Sequence, residues 1–394
     1  MVKVKSEMSD YIDSISPALN TISDKIFDKP ELGFHEYYAS KLICDAFSKE
    51  GFRTELGVGK LDTSFKAVYE NGTCGPSIGL LCEYDALEGL GHGCGHQMQG
   101  PAILGCALAV KKYVKDKPYK LIVYGTPAEE GGAGKSIMLN NGCFRDIEVA
   151  LMMHGSPTTT TDIKSMALTS FLVTYHGKSA HAALKPEDGR SAFDAMLLAF
   201  HGIELMREHV LEDTRMHYTV LNAGGSENIV PENAVGRFQL RSYSTQYLQH
   251  VIKRFKDIIY GSAMMSGVTC EIEELSSCKA KVPVIKLNNL LMNNAEIIHA
   301  PQIGPSRKKT GSTDFAEVMS IIPGSCIRVA FVPVGTSAHS QDYVNAGKTE
   351  AAHKAIAYGA KILAFTVMDM IEDPQLINEF WEEFKKNRSS DLEI

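Results

Sequence analysis

The sequence has no long apolar run. None of its segments approaches the roughly 18 consecutive apolar residues of a membrane-spanning helix, and the first ten residues carry two lysines but no apolar core of a secretion signal. The sequence also has no excess of basic residues: it has 40 Lys and Arg and 47 Asp and Glu, which gives a net charge of −7. We therefore expect neither a membrane nor a nucleic acid as a partner.

A disulfide framework is missing as well. The nine cysteines are an odd number and are scattered without a repeated spacing. Disulfide-stabilised domains are short and cysteine-dense, whereas proteins of a reducing compartment keep free thiols. The cysteine pattern therefore predicts a cytoplasmic protein.

The chain is long enough for two domains. Its 394 residues exceed the roughly 250–300 residues at which a single hydrophobic core stops growing. With 44% apolar and 22% charged residues, the composition is that of an ordinary globular protein. We find no internal repeat and no low-complexity tract.

Strands and helices alternate in the first part of the chain. Short apolar runs rich in Val, Ile, Leu and Tyr predict strands, and amphipathic runs predict helices between the later ones. This alternation predicts an α/β fold with a mostly parallel central sheet covered by helices. The predicted strands are 63–69, 77–83, 119–125 and 148–153, and the predicted helices are 97–115 and 135–141.

The pattern changes after Asp162. Residues 166–279 predict strand, helix, strand, strand, helix and strand, which is a compact βαββαβ unit of the α+β type. The α/β pattern then resumes with a helix at 287–299, a buried strand at 326–332 and a long helix at 346–370. We therefore predict one discontinuous catalytic domain, residues 1–165 and 280–394, with a smaller domain inserted at 166–279.

A glycine-rich loop follows the predicted strand at 77–83. Residues 89–100 read G-L-G-H-G-C-G-H-Q-M-Q-G and contain His92, Cys94 and His96. Thiolate and imidazole are ligands that suit zinc, and ligands bind at the carboxyl ends of strands in open α/β sheets. A buried cysteine beside a core histidine would explain the loop equally well if it stood alone.

Three further strand ends carry residues of the same kind. Glu129 and Glu130 follow the strand at 119–125, His154 ends the next strand, and His339 follows the strand at 326–332. Each of these residues taken singly has an ordinary structural explanation. Their recurrence at four strand ends predicts a metal site at one edge of the sheet.

These residues lie within motifs that, in combination, resemble the aminoacylase/carboxypeptidase family of dinuclear zinc peptidases, specifically its amidohydrolase subfamily. The resemblance extends over nearly the whole chain. The motifs are E-Y-D-A-L at 83–87, G-H-G-C-G-H at 91–96, P-A-E-E-G-G-A-G-K at 127–135, M-H-G-S-P at 153–157, G-K-S-A-H-A at 177–182, E-N-I-V-P-E-N-A at 227–234, G-S-T-D-F at 311–315 and A-H-S at 338–340.

The resemblance implies a metal-dependent amidohydrolase or peptidase with two divalent metal ions per chain. Zinc is the expected metal, with manganese or cobalt as alternatives, and whether a thiolate or a water bridges the ions stays open. Glu129 matches the family's general base, and Asp85 matches a residue that orients a histidine ligand. His92 is a sixth possible ligand, which we expect to lie beside the metals rather than to bind them. The implied ligands are Cys94, His96, Glu130, His154 and His339.

The inserted domain carries matches of its own. The resemblance implies that His181, on a lid, stabilises the oxyanion of the reaction, and that Asn228 and Arg241 bind substrate. Arg241 is the natural partner of a substrate carboxylate. In the family a second subunit commonly supplies the lid histidine, so a homodimer or homotetramer assembled through this domain is expected.

The expected reaction is hydrolysis of an amide or peptide bond in a short peptide or an N-acyl amino acid. A broad endopeptidase acting on longer chains is an alternative within the same chemistry. A metal-binding scaffold without catalysis is another, although it would need neither Glu129 nor His181. A cysteine hydrolase built on Cys94 with His96 as its base is a third, with an awkward geometry for two residues on one loop.

Overall fold

The structure, a computed structural model, describes residues 2–391. The chain divides into two compact units: residues up to Lys164 together with Lys281–Arg388, and the segment Ser165–Ala280. Within the described residues, no helix has both the length and the apolar character that crossing a membrane requires.

Two separate sheets contain the strands. The strands are β1 (Arg53–Leu56), β2 (Phe65–Asn71), β3 (Ser77–Cys82), β4 (Tyr119–Gly125), β5 (Val149–Ser156), β6 (Thr160–Thr161), β7 (Ala167–His176), β8 (Arg215–Asn222), β9 (Asn233–Ser242), β10 (Thr269–Cys278) and β11 (Gly324–Ala330). The first unit has seven of them in the order β1-β2-β4-β3-β5-β11-β6, and the second has four in the order β10-β7-β9-β8.

The helices cover these sheets. Several begin at a side-chain cap; Thr349, for example, accepts a hydrogen bond from the amide of Ala352. The helices are α1 (Val2–Phe27), α2 (Tyr37–Lys49), α3 (Gln99–Tyr113), α4 (Glu129–Gly132), α5 (Gly134–Asn140), α6 (Ala192–Met206), α7 (Thr245–Ser266), α8 (Ile285–Ile297), α9 (Phe315–Met319), α10 (Gln341–Ala346), α11 (Glu350–Glu372) and α12 (Gln375–Asp391).

The centre of the first sheet is parallel. Strand β3 pairs in parallel with β4 and β5, and β5 pairs in parallel with β11. These strands are apolar and buried along nearly their whole length, as expected for a sheet with helices on both faces. Strands β1, β2 and β6 join at the edges in antiparallel pairs. The parallel centre brings the carboxyl ends of four strands to one edge.

Helix α3 forms the middle of the covering layer, and residues 99–110 of it are all buried. It packs against α1 and α11. Gly105 allows this close approach, because a Cβ atom there would lie 3.0 Å from the Cβ of Ala360 and 2.8 Å from Leu19. Packing between these helices and the sheet forms the main hydrophobic core of the first unit.

The second unit is an antiparallel sheet with two helices. Residues of β9 alternate between buried and more exposed positions, so one face of the sheet is covered and the other is not. The helices α6 and α7 cover the buried face. Phe255 on α7 lies 5.1 Å from the ring of Phe171 and 5.2 Å from that of Phe238, which forms the centre of a separate core.

The predicted fold class, an α/β sheet with an α+β unit, is confirmed. The predicted helix at 346–370 is wrong at its start, because the chain forms α10, turns at residues 347–349 and restarts as α11 under the Thr349 cap. The sequence prediction also missed β1 and β6, which have four and two residues. Such short strands are held by neighbouring strands rather than by their own apolar pattern.

Candidate metal centre

Side chains from the loops after β3, β4, β5 and β11 meet at the carboxyl edge of the parallel strands. The ligand atoms within each of three groups lie within 4.8 Å of one another. Cys94 belongs to two of these groups. The groups are Cys94, His96 and His154; Cys94, Glu130 and His339; and His96, Glu129 and Glu130.

The first group is formed by the glycine-rich loop and the end of β5. The Sγ atom of Cys94 lies 3.5 Å from Nε2 of His154, and the rings of His96 and His154 are perpendicular with centroids 5.5 Å apart. The left-handed conformation of Gly95, with φ of 85°, turns the chain between the cysteine and the histidine. The loop thereby directs both side chains to the same point.

Hydrogen bonds hold both histidines in one tautomer. Nδ1 of His96 donates to Oδ1 of Asp85 at 3.0 Å, and Nδ1 of His154 donates to the backbone carbonyl of Gly155 at 2.7 Å. Nε2 of each ring is thus left as the acceptor, the state in which imidazole binds a metal. Nε2 of His96 is buried and has no hydrogen-bond partner.

The second group joins the loops after β4 and β11. Nε2 of His339 lies 3.2 Å from Oε1 of Glu130. The amide of Glu130 donates to Oδ2 of Asp85 at 2.8 Å, so Asp85 contacts residues of both groups. His339 has a positive φ of 62°, and its amide donates to the carbonyl of Gly93 at 2.9 Å. This bond ties the last loop to the cysteine loop.

The residues present suit divalent metal ions. Oε1 of Glu130 and Nε2 of His96 are buried and form no hydrogen bond, although Nε2 of His339 lies 3.2 Å from the first and Oε2 of Glu83 lies 3.3 Å from the second. A bound ion would satisfy both atoms, whose burial is otherwise costly. Thiolate, imidazole and carboxylate together form a donor set typical of zinc and related metals. Two groups that share Cys94 provide places for two ions.

Glu129 lies beside His96 and Glu130 and, in addition, beside two other acidic side chains. Its carboxylate lies within 4.8 Å of carboxylate oxygens of Glu83 and Asp314. Burial, followed by the charges of Glu83 and Asp314, raises the pKa of Glu129 well above its usual value. Such a carboxyl group is suited to taking and returning a proton near neutral pH.

Lys135 neutralises part of this acidic cluster. Its Nζ lies 2.5 Å from Oε1 of Glu83 and 2.6 Å from Oδ1 of Asp314, and its side chain is fully buried. Although burial opposes ionisation of Glu83, the ammonium group of Lys135 and the nearby histidines lower its pKa to about 2. The sequence prediction gave no role to these three residues, although all of them lie inside the motifs at 83–87, 127–135 and 311–315.

His92 lies on the same loop but has other partners. Its Nε2 is 3.1 Å from the backbone carbonyl of Ile26, and its ring stacks on Phe27 with centroids 6.0 Å apart. Burial lowers its pKa to about 4, so the ring is neutral at pH 7. Its contacts join the loop to the end of α1.

The remaining predicted site residues belong to the second unit. His181 and Asn228 are exposed neighbours: His181 forms a bridge with Ile229, and the amide of Ala182 donates to the carbonyl of Asn228 at 2.9 Å. Arg241 lies on β9, where its Nε and Nη2 donate to Oε1 of Gln239 at 2.9 and 2.8 Å.

A cysteine, histidines and a glutamate beside a second, half-buried glutamate, at the carboxyl edge of an α/β sheet, define a metal-dependent hydrolase. Residues 79–369 match the peptidase family M20/M25/M40, and the chain belongs to this family. It is therefore a metal-dependent hydrolase of amide or peptide bonds, as predicted.

Full-length relatives and solved structures agree with this assignment. The human Xaa-Arg dipeptidase is 31% identical over 97% of this chain and 92% of its own. One of the subunits that form the p-aminobenzoyl-glutamate hydrolase of Escherichia coli is 29% identical over 98% of this chain and 96% of its own.

Among solved structures, a protein from methicillin-resistant Staphylococcus aureus has a TM-score of 0.80 at 19% identity, covering 93% of this chain and all of its own. A dinuclear metal-binding peptidase of Bacillus subtilis has a TM-score of 0.71 at 21% identity, covering 91% of this chain and 100% of its own. The fold is therefore shared along almost the entire chain.

Proposed function

We propose that the protein hydrolyses the amide bond of dipeptides or N-acyl amino acids, with two divalent metal ions and Glu129 as general base. The observation that carries the proposal is the placement of the half-buried Glu129 carboxylate beside two ligand groups that share Cys94. Relatives named for cleaving an Xaa-Arg dipeptide and p-aminobenzoyl-glutamate support a short substrate with a free carboxylate.

Cys94, His96 and His154 would hold one ion, and Cys94, Glu130 and His339 the other. Bound there, zinc or a related metal would polarise the amide carbonyl and lower the pKa of a water molecule. Asp85 supports both sets, since it accepts hydrogen bonds from Nδ1 of His96 and from the amide of Glu130.

Glu129 performs the proton transfers. Because it belongs to neither of the two groups that contain Cys94 but lies close to His96 and Glu130, its carboxylate is available to take a proton from the attacking water and to return it to the leaving amine. Its raised pKa favours the protonated form that the second transfer requires. A thiol nucleophile is disfavoured, because burial raises the pKa of Cys94 to about 12.

We assign the second unit, 166–279, the role of lid and oligomerisation domain. His181 would stabilise the oxyanion, and Asn228 and Arg241 would bind the substrate, with Arg241 on its carboxylate. Strand β8 supports assembly with a second copy, because it is an edge strand with exposed apolar side chains such as Val220 and Leu221. The absence of disulfides among the nine cysteines, all in the described residues, supports a cytoplasmic location.

Substitution of the general base tests this proposal. We expect Glu129→Gln to retain its metal while losing about 100-fold or more in kcat, because the amide cannot accept the proton. Metal content is measured by mass spectrometry of the purified protein, and turnover with N-benzoylglycine after loading with zinc.

Glu88→Gln is the matched control, since Glu88 is exposed on the neighbouring loop and should behave as the parent protein does. Full activity of Glu129→Gln would refute the assignment of the base. Activity that survives exhaustive chelation would instead favour the cysteine mechanism, and preference for long peptides with blocked ends would favour the endopeptidase.

A further inference from the structure

A pair of arginines lies beside the metal centre, and one of them, Arg328, is on β11, the strand next to β5. Nε of Arg328 donates to Oδ2 of Asp162 at 2.8 Å. The same carboxylate accepts from Arg307, with Nε on Oδ1 at 2.5 Å and Nη2 on Oδ2 at 3.1 Å. Two guanidinium groups thus share one carboxylate within the first unit.

This group lies next to a metal-ligand candidate. Arg328 on β11 is the register partner of His154 on β5, so the two Cα atoms are about 4.8 Å apart and their side chains emerge from the same face of the sheet.

The positive charge of this group exceeds the negative charge. In residues 2–391, the side chain of Arg328 hydrogen-bonds to protein only through Nε, although just 18% of it is exposed. Its two terminal nitrogens therefore have donors to offer. Arg307 also begins the run Arg307-Lys308-Lys309, in which both lysines are exposed.

A purely structural role explains only part of this arrangement. The pair of Asp162 and Arg307 ties two segments together, because the amide of Arg307 also donates to the carbonyl of Thr161 and the amide of Ile163 to that of Arg307. One carboxylate can accept two parallel hydrogen bonds from one guanidinium group, as Asp162 does from Arg307. Arg328 adds a second, largely buried cation, which is unfavourable unless an anion from outside pairs with it.

We propose that Arg328 binds a side-chain carboxylate of the substrate, so that the protein prefers substrates whose C-terminal residue is glutamate or aspartate. This inference rests on the proposed function and adds a carboxylate-binding residue in the first unit. The inference favours a substrate like that of the p-aminobenzoyl-glutamate hydrolase over one like that of the Xaa-Arg dipeptidase. A C-terminal arginine would bring a further cation to a site that is already positive.

Matched substrates test this preference. We expect the zinc-loaded protein to hydrolyse N-benzoyl-L-glutamate with a kcat/KM about 10- to 100-fold above that of N-benzoyl-L-glutamine, which differs only in the side-chain charge, and further above that of N-benzoyl-L-arginine. In Arg328→Gln the advantage of glutamate over glutamine should disappear, mainly through KM. Arg328→Lys should restore part of it.

Arg53→Gln is the control, because Arg53 is an exposed residue of the edge strand β1 and should leave the preference unchanged. Equal cleavage of the glutamate and glutamine substrates, or a preference for arginine, would overturn the inference while the hydrolase function stands. If none of these compounds is cleaved, the proposed function fails, and calorimetry with L-glutamate and L-glutamine then tests the carboxylate site directly. Equal heats for the two amino acids would refute it.

Discussion

Cys94 connects the two halves of the metal centre. It belongs to the group with His96 and His154 and to the group with Glu130 and His339. Without a cation, burial raises the pKa of its thiol to about 12, so metal binding must release the thiol proton. The affinity of both places should therefore depend on this single side chain.

We predict that Cys94→Ser weakens both metal places together, by about tenfold or more, because a hydroxyl is a poorer ligand than a thiolate. Dialysis against graded zinc concentrations, followed by elemental analysis, measures the occupancy of each place. Cys143→Ser serves as the control, since that cysteine is buried away from the cluster. Loss of one ion with undiminished binding of the other would contradict the prediction.

At the scale of elements, Lys135 joins three segments that are distant in sequence. It lies on α5, and its ammonium group binds Glu83 after β3 and Asp314 at the start of α9. All three side chains are buried. Because a buried carboxylate without a partner is strongly unfavourable, Lys135 stabilises the position of these elements around Glu129.

We predict that Lys135→Met lowers the free energy of unfolding of the metal-free protein by about 3–5 kcal/mol, since it leaves two buried carboxylates unpaired. Urea denaturation followed by circular dichroism measures the change. Lys41→Met removes an exposed pair with Asp45 and should cost about 1 kcal/mol or less. Similar losses in the two variants would show that the buried cluster contributes no more than a surface pair.

For the whole molecule, the second unit offers an apolar surface along β8 and α6. Leu205 of α6 is 74% exposed and Leu221 of β8 is 55% exposed, and β8 is an edge strand. Edge strands with apolar side chains are usually covered by another chain. A second copy of this chain, paired through β8 and α6, is the occupant that we propose.

We predict that Leu205→Glu converts the dimer to a monomer, because it places a charge in the apolar interface. Sedimentation measures the mass, and turnover should fall with it if the partner subunit supplies His181. Met264→Glu is the control on α7, where Met264 is 82% exposed. A parent protein that sediments as a monomer, or a fully active monomeric variant, would contradict this assembly.

Regular elements were predictable because their patterns are local. The strand expected at 119–125 has those bounds in the structure, since continuous apolar residues between turns specify a strand without reference to the rest of the chain. The predicted helix at 346–370 missed the turn between α10 and α11, although the turn carries two local signals: Gly347 follows the end of α10, and Thr349 caps the start of α11.

The sequence by itself determined the fold class and the family, because periodicity and motifs are properties of neighbouring residues. Only the tertiary structure decided that Glu129 also lies beside Glu83 and Asp314, whereas Glu130 lies beside Cys94 and His339. It also decided the partners of Lys135 and Arg328, since Asp314 is 179 residues away from the first and Asp162 is 166 residues away from the second. Contacts of this separation depend on how the sheet is assembled, and no local pattern records them.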